Sequence, residues 1–317
     1  MASVGDQDFR DSVIHSDLVI ADGMSVVLMA RFLGVPIYER VAGSSLMEAI
    51  QQDDQSAPMR VFLFGGPDGV AEAASKKLTE TAGGIVCAGF HSPGFVSVDE
   101  MSRDETIAQI NASGADFLLV ALGASKGQVW IERNRTRLSV PVVSHLGAVI
   151  NFLAGTVRRA PMWVQRCGLE WVWRIKEEPT LWRRYWRDGG LFARVLVRQL
   201  LPHVWWKWRN AKDFRKGGWV QSQIEGIACR LRVIGYVDVI SPAVRAAFRG
   251  CGEAGKPVVL DVSETQYIGP GFFGMVLLLK KQLDRAGLTL QVIGINQVNR
   301  RFFCWNGVEY LLESAKP

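Results

Sequence analysis

The chain has 317 residues, a length for which two domains are the natural expectation. Hydrophobic residues make up 48% of it and charged residues 21%, which excludes wholesale disorder. The five Cys and four His are scattered, with no CxxC pair and no metal-ligand spacing. We therefore expect no disulfide framework, no metal site, no other cofactor and a reducing, cytoplasmic location.

The chain does not open with a basic segment followed by an apolar one, so we expect no signal peptide. The longest uncharged stretch, Leu138–Val157, has the length of a membrane span but contains Pro, His, Asn and two Gly. This composition indicates a strand, a turn and a helix in a buried core.

Up to residue 157, short apolar runs alternate with helical segments. The predicted strands are Leu18–Ala21, Val61–Phe64, Gly84–Phe90, Asp116–Leu122 and Val140–His145. Continuous apolar strands that alternate with helices predict a Rossmann-like α/β fold, in which helices cover both faces of a parallel sheet. Ligands of such sheets bind beyond the carboxyl ends of the strands.

Two acidic motifs lie before the second predicted strand. Asp22 directly follows the first predicted strand and precedes a predicted helix, Met24–Leu33. A carboxylate in that place can act as a general base, or it can simply cap the helix. Asp6-Gln7-Asp8 has the DxD pattern of many metal-dependent glycosyltransferases, but no strand precedes it, and we predict a solvated tail.

Gly-bearing turns follow two other predicted strands. They are Gly65-Gly66-x-x-Gly69 and Gly123-Ala-Ser-Lys126. Gly lets a phosphate approach the backbone at a helix N-terminus, so nucleotide binding is one interpretation of these turns. Such turns are also common in βα units without a nucleotide, and no Walker sequence is present.

The segment from Arg158 to Trp219 carries 15 basic and five acidic residues, together with nine of the 11 Trp. Interleaved Trp and basic residues are typical of proteins that bind an anionic membrane surface. Nucleic-acid binding and a helical layer over another domain are the alternatives. We favour the membrane because Leu191–Trp208 has helical spacing and an apolar face, although Pro202 should kink or end that helix. The predicted face consists of Phe192, Val195, Leu196, Gln199, Leu200 and Val204.

From residue 220 onward, the pattern predicts a smaller βα domain. Its predicted elements are a strand at Ile227–Ile234, a helix at Ser241–Gly252, a strand at Val258–Val262, a helix at Phe272–Ala286, a strand at Leu288–Ile293 and a helix from Gln297. The chain therefore divides into a Rossmann-like domain (1–157), a basic Trp-rich appendage (158–219) and a small βα domain (220–317).

Seven motifs follow one another in the first two parts. They are Asp17-Leu-Val-Ile-Ala-Asp-Gly-Met24, Glu39-Arg-Val-Ala-Gly-Ser44, Val61-Phe-Leu-Phe-Gly-Gly66, Val120-Ala-Leu-Gly-Ala-Ser-Lys126, Asn151-Phe-Leu-Ala-Gly155, Arg159-Ala-Pro-Met-Trp-Val-Gln-Arg166 and Gly168-Leu-Glu-Trp171. Their order resembles the WecG/TagA/CpsF glycosyltransferase family over about Asp11 to Arg187.

This resemblance implies transfer of an N-acetylmannosamine-type sugar from a UDP donor to an undecaprenyl-diphosphate-linked acceptor, with inversion and without a metal. The reaction would serve exopolysaccharide or envelope glycan synthesis at the cytoplasmic membrane face. Asp22 would be the general base, and the basic appendage would contact the membrane and complete the active site. The implied donor-nucleotide residues are Gly65, Gly66, Gly123, Lys126, Gln128, Gly147 and Asn151. The implied residues for the diphosphate and the acceptor are Arg159, Arg166 and Arg174.

Three departures from the family pattern favour an alternative, a catalytically degenerate scaffold that recruits partners. A strand–helix section with a Thr and an Asn near the active site normally precedes the Asp22 region, so we expect either a start upstream of Met1 or an incomplete pocket. The family's Ser-Pro-Lys-Gln-Glu turn is here Ala124-Ser-Lys-Gly-Gln128, and its Phe-Asp-Phe is Ile150-Asn-Phe152. A nucleotide-dependent oxidoreductase is a weaker alternative, because no acid stands at the ribose-binding distance after Gly69.

Residues 223–312 contain Leu260-Asp-Val-Ser263, Tyr267-Ile-Gly-Pro-Gly271 and Leu290-Gln-Val-Ile-Gly-Ile295, which resemble a STAS (anti-sigma-factor-antagonist-like) domain. In regulatory members, a phosphorylatable Ser opens a helix at the place where Gly269-Pro-Gly271 has no hydroxyl. The resemblance implies a module that lacks this phosphoswitch and docks a protein partner. We expect the docking to use Phe272 and Phe273, at an exposed helix start. Both Phe can equally be core residues, and the domain can equally be structural.

Overall fold

The computed structural model describes residues 6–53, 57–81, 83–157, 160–161, 163–164, 169–177, 179–238 and 241–315. The Cα positions form two compact units, one of Met1–Val27 with Glu39–Arg187 and one of Leu28–Tyr38 with Asp188–Pro317. The basic Trp-rich segment is thus divided between the two units. The domain boundaries at 157/158 and 219/220 stay predictions.

The first unit contains a sheet of four parallel strands, in the order β2-β1-β3-β4. They are β1 Met59–Gly65, β2 Ile85–His91, β3 Phe117–Ala121 and β4 Val142–His145. Parallel pairing brings the carboxyl ends of these strands to one edge of the sheet. The predicted α/β class and its parallel sheet are confirmed.

Helices cover both faces of this sheet. In chain order, the helices up to residue 157 are α1 Gln7–His15, α2 Met24–Leu33, α3 Gly43–Gln51, α4 Val70–Glu80, α5 Val98–Met101, α6 Asp104–Ala112, α7 Ala124–Asn134 and α8 Val149–Ala154. Of these, α3 to α8 contribute residues to the cores on the two faces of the sheet. The alternation of β1 explains the arrangement, since Val61 and Leu63 pack with residues of α4 and α8 while Phe62 and Phe64 pack with residues of α6 and α7. A strand with apolar side chains on both faces is stable only when both are covered.

The predicted first strand, Leu18–Ala21, is wrong. These residues belong to no strand, and Leu18 is 83% exposed. The segment is held by a backbone hydrogen bond in which the Val41 N–H donates to the Ala21 carbonyl at 3.0 Å. A four-residue apolar run becomes a strand only where another strand offers its edge, and here the run lies in an extended connection. Asp22 therefore lies within the connection between α1 and α2 and does not follow a strand of the sheet.

A helical run follows the first sheet. It consists of α9 Glu170–Glu177, α10 Trp182–Val195, a π-helical turn Leu196–Leu200 and α11 Leu201–Arg209. Pro202 does not end the run, because the wider π turn directly before it accommodates a residue that lacks the N–H and crowds the preceding carbonyl. Among the helices of the described ranges, none combines the length and apolar composition needed to cross a bilayer.

The predicted apolar face of Leu191–Trp208 is its less exposed side. Leu200 is buried, and Phe192, Val195, Leu196, Gln199 and Val204 are half-buried. The opposite side exposes Val197, Leu201, Trp205 and Trp208. The helical spacing was predicted correctly, but the face expected to meet the membrane faces the protein.

The second unit contains a five-stranded sheet in which β5 and β6 form an antiparallel hairpin and the other pairs are parallel. Its strands are β5 Gly218–Glu225, β6 Ala228–Val237, β7 Val258–Asp261, β8 Thr265–Ile268 and β9 Leu290–Ile293. Its helices are α12 Pro242–Glu253, α13 Pro270–Arg285 and α14 Gln297–Trp305. The sequence did not predict the two strands β5 and β8.

Helix α11 packs into the core of this second unit. The Trp206 ring stacks on Tyr267 with a centroid distance of 5.3 Å and meets Phe302 edge-on at 5.0 Å. His203 Nε2 lies 2.7 Å from the Tyr267 hydroxyl. Burial lowers the pKa of His203 to about 4, so the imidazole is neutral in this contact.

Two expectations about the second unit are wrong. Cys229 and Cys251 form a disulfide between β6 and α12, because helix packing brings two buried residues together that are 22 positions apart. Phe272 and Phe273 open α13 but are only 1% and 2% exposed, so they belong to the core and do not form an exposed docking point.

Candidate active site

Gly65 and Gly66 form the turn by which the chain leaves β1 at the carboxyl edge of the sheet. Their φ angles of 100° and 87° lie in the region that favours Gly. The Gly66 N–H donates to the carbonyl of Ala121, the last residue of β3, at 2.8 Å. A Cβ on Gly65 would lie 2.8 Å from the same oxygen. The turn thus needs Gly for its close approach to β3, independently of any nucleotide.

His145, at the end of β4, lies against the neighbouring turn. Its Nε2 is 2.7 Å from the Leu122 carbonyl, just beyond β3. Burial lowers its pKa, which favours a neutral imidazole that donates this hydrogen bond. Gly147, which follows β4, makes room for the ring, since a Cβ there would lie 3.3 Å from Nε2.

Gly123 and Gly127 offer a matched test of this packing. A Cβ on Gly127 would lie 2.2 Å from His145 Cδ2, whereas a Cβ on Gly123 would meet nothing within 4 Å. We expect Gly127→Ala to lower the free energy of unfolding by about 1–3 kcal/mol through overpacking, and Gly123→Ala to leave it nearly unchanged. Denaturant unfolding of both variants checks this. Equal stability of the two variants would contradict the His145 position.

The turn after β3 is already engaged by protein groups. Lys126 Nζ donates to the Val96 carbonyl at 2.9 Å, and Ser125 Oγ donates to Asp6 Oδ2 at 2.6 Å. Asp6 also accepts from the Phe9 N–H at 3.0 Å and so caps α1. The prediction of a solvated tail at Asp6-Gln7-Asp8 is therefore wrong. Gln128 on α7 and Asn151 on α8, two other sequence candidates, are half-buried.

Asp22 is one of four charged groups that form a cluster, together with Arg40, Glu170 and Arg174. Arg40 makes a bidentate ion pair with Glu170 at the start of α9. Its Nη2 donates to Oε1 at 2.9 Å, and its Nη1 donates to Oε2. The side chains of Arg40 and Glu170 are 15% and 27% exposed. Arg174 lies one turn further along α9. Its positive charge acts to lower the pKa of Asp22, which makes it the fourth member of the cluster.

The environment of Asp22 suits a base. Its surface is open to solvent, but the surrounding protein partly desolvates the carboxylate and raises its pKa. Arg40 and Arg174 act in the opposite direction, and Glu170 adds to the increase. Among the described residues, no hydrogen bond joins this carboxylate to the first turn of α2, so capping does not explain it.

Two contacts connect this cluster to the carboxyl end of β4. The Arg40 segment leads into α3, where a Cβ on Gly43 would lie 2.6 Å from Leu146 Cδ2. The Arg174 guanidinium lies over the Phe152 ring of α8, 5.7 Å from its centroid. The cluster is therefore close to the segment that follows β4, where ligands of parallel sheets bind.

Arg159 and Arg166, predicted to face the diphosphate or the acceptor, lie outside the described residues. Within the described ranges, no group of three His, Cys, Asp or Glu could hold a metal ion. The sequence alone indicated no role for Arg40, Glu170 or His145. Arg40 and Glu170 do lie in two of the family-like motifs, Glu39–Ser44 and Gly168–Trp171. Their place in these motifs was the feature of the sequence that could have marked them as site residues.

Comparison with known proteins decides the family. The sequence pattern described as "Glycosyl transferase WecG/TagA/CpsF family" matches residues 1–204, which is more than half of the chain. The chain belongs to this family. The WecG/TagA/CpsF match includes all the candidate site residues and ends inside α11.

Curated relatives bear the name N-acetylglucosaminyldiphosphoundecaprenol N-acetyl-beta-D-mannosaminyltransferase. The protein of Bacillus subtilis (strain 168) is 29% identical over 185 residues, which cover 58% of this chain and 70% of that relative. The protein of Staphylococcus aureus (strain MW2) is 26% identical over 182 residues, covering 57% and 68%. Among solved structures, a GTP-binding protein from Sulfolobus solfataricus aligns over 81% of this chain and 89% of its own, with 11% identity and a TM-score of 0.23. That score is too low to indicate a common fold.

Proposed function

We propose that the chain transfers an N-acetylmannosamine-type sugar from a UDP donor to an undecaprenyl-diphosphate-linked acceptor, with inversion, in the synthesis of an exopolysaccharide or envelope glycan. The family membership and the names of the relatives support the reaction class. The observation that carries the proposal is the Asp22 carboxylate between two guanidinium groups, Arg40 and Arg174, close to the carboxyl end of β4.

Asp22 is the proposed general base. It takes the proton from the acceptor hydroxyl while that oxygen forms a bond to the anomeric carbon of the sugar. The bond from the anomeric carbon to the donor diphosphate breaks at the same time, and its electron pair leaves with UDP. A single displacement of this kind inverts the anomeric centre and needs one carboxylate.

The leaving diphosphate gains negative charge as the bond breaks, and that charge must be stabilised. Guanidinium groups can do this through paired N–H donors, without a bound metal ion. Arg174 is the described residue proposed for this role, with Arg159 and Arg166 proposed beside it. The Gly65-Gly66 and Gly123–Gln128 turns, Gly147 and Asn151 are the proposed contacts of the uridine nucleotide.

The protein is further proposed to bind the cytoplasmic membrane face as a peripheral protein. Within 158–219, most Trp side chains are exposed, namely Trp163, Trp171, Trp182, Trp186, Trp205, Trp208 and Trp219. Exposed indoles and surrounding bases suit the headgroup region of an anionic bilayer better than single-stranded nucleic acid, because the substrate is lipid-linked.

The second unit is proposed to be a STAS-like module that docks a protein partner without a phosphoswitch. The turn before α13 supports the loss of the switch, since a Cβ on Gly269 would lie 2.7 Å from Asp238 Oδ1. A Ser at this position would not fit without movement of Asp238. Because Phe272 and Phe273 are buried, docking would have to use another surface.

An assay of the full-length protein tests the proposed function. UDP-N-acetylmannosamine and a prenyl-diphosphate-linked N-acetylglucosamine are incubated with it, and the lipid-linked product is detected by mass spectrometry. We expect a disaccharide, and NMR of the new glycosidic linkage should show an anomeric configuration inverted relative to the donor. UDP binding without transfer, to this acceptor or to other prenyl-diphosphate sugars, would instead favour the catalytically degenerate scaffold.

A further inference from the structure

The Arg40–Glu170 ion pair joins the start of α9 to the segment that precedes α3. Both side chains are more than two-thirds buried, and the guanidinium uses two N–H groups on the two carboxylate oxygens. This is the geometry in which guanidinium also binds phosphate oxygens. Glu170 therefore occupies the donors that a phosphate group would use.

The charges around Asp22 are already balanced. Asp22 and Glu170 contribute two negative charges, and Arg40 and Arg174 contribute two positive charges. A diphosphate that enters this cluster adds at least two negative charges in a partly desolvated place, which is costly unless a carboxylate gives up its cation. Asp22 must remain if it is the base, so Glu170 is the carboxylate that can be replaced.

We propose that Arg40 binds the diphosphate of a substrate and that Glu170 holds its place in the unliganded protein. The diphosphate displaces Glu170 and takes over the paired donors of Arg40. Because Glu170 and Arg174 are one turn apart on α9, the exchange moves a carboxylate away while a guanidinium remains beside the ligand. This inference rests on the proposed transferase function, and it names the group that selects for a diphosphate.

The test is ligand binding to the full-length protein by calorimetry at fixed ionic strength. The probes are UDP, UMP and farnesyl diphosphate. For Glu170→Gln, we expect about tenfold tighter binding of the diphosphate that uses Arg40, within the usual range of coupled binding. A gain with UDP but not UMP assigns the site to the donor, whereas a gain with farnesyl diphosphate assigns it to the lipid.

Two further variants separate displacement from a general charge effect. Arg40→Gln should weaken the same probe roughly tenfold or more, and Arg40→Gln with Glu170→Gln should bind like Arg40→Gln alone. Asp104→Asn, which removes a carboxylate paired with Arg137 elsewhere in the first unit, should leave binding unchanged. Should Glu170→Gln fail to fold, Glu170→Asp keeps the charge, breaks the paired geometry and should give a smaller gain.

The proposal is overturned if Glu170→Gln binds neither diphosphate more tightly, or if its gain persists without Arg40. These outcomes are independent of turnover. Tighter diphosphate binding in a protein that transfers no sugar would leave the exchange standing and remove the proposed function. Sugar transfer without any gain in Glu170→Gln would do the reverse.

Discussion

Replacement of Asp22 by Asn should lower the turnover of sugar transfer at least ~100-fold, the usual scale for the loss of a general base. The amide has nearly the same shape but cannot take the proton from the acceptor hydroxyl. The variant should still bind UDP, and its unfolding midpoint should stay close to that of the wild type, since Asp22 is exposed. Steady-state transfer rates and UDP calorimetry on both proteins check this.

The pH dependence provides a second readout of Asp22. The base works when ionised, so activity falls as the pH drops through its pKa. Partial desolvation by the surrounding protein raises that pKa, and the acidic limb should therefore lie above the range of an ordinary Asp side chain. Asp53→Asn, at another exposed carboxylate, is the matched control and should keep wild-type turnover. Near-normal turnover of Asp22→Asn would place the base elsewhere.

Neutralising four exposed bases of the helical run should release the protein from anionic liposomes. The changes are Arg183→Gln, Arg187→Gln, Arg194→Gln and Arg198→Gln. At about 1 kcal/mol per base near the membrane, the loss is about 4 kcal/mol, or roughly a thousandfold in partitioning. Sedimentation with phosphatidylglycerol vesicles at low salt measures this effect.

Salt and location provide the controls for the membrane prediction. The electrostatic part should fade as salt is added, while the part due to exposed Trp186 and Trp208 should persist. Four exposed bases elsewhere, when changed to Gln, should have a much smaller effect; they are Arg103, Arg245, Arg249 and Arg301. Equal binding of the wild type to neutral and anionic vesicles would contradict the prediction.

The buried strands β1 and β3 could be predicted because each is a continuous apolar run followed by Gly. Burial on both faces leaves that composition in the sequence. Leu18–Ala21 has the same composition without being a strand, since a single run does not reveal whether another strand lies beside it. The hydrophobic pattern therefore predicts the central strands of the sheet correctly but also predicts a strand at Leu18–Ala21, where the structure has none.

The charged cluster could not be assembled from the sequence in the same way. Arg40 and Glu170 are 130 residues apart, and their pairing depends on where α9 packs. The Cys229–Cys251 disulfide has the same origin, because it needs β6 and α12 to be adjacent. Asp22 could be identified as a candidate base only through the family-like motif around it. The strand predicted before it is a loop in the structure.

Helix α11 has a consequence for dividing this protein into fragments. The family match ends at residue 204, yet His203 and Trp206 of the same helix pack against Tyr267 of the second unit. A C-terminal fragment that begins at residue 220 would lack the Trp206 ring that stacks on Tyr267, and the complementary N-terminal fragment would lose the contacts of Trp206 with Tyr267 and Phe302. Both fragments would expose aromatic surface that is buried in the intact chain, and we expect both to aggregate during expression. Helix α11, in which the family match ends, thus belongs to the second unit, and grafting a different C-terminal module onto this chain would require redesign of α11.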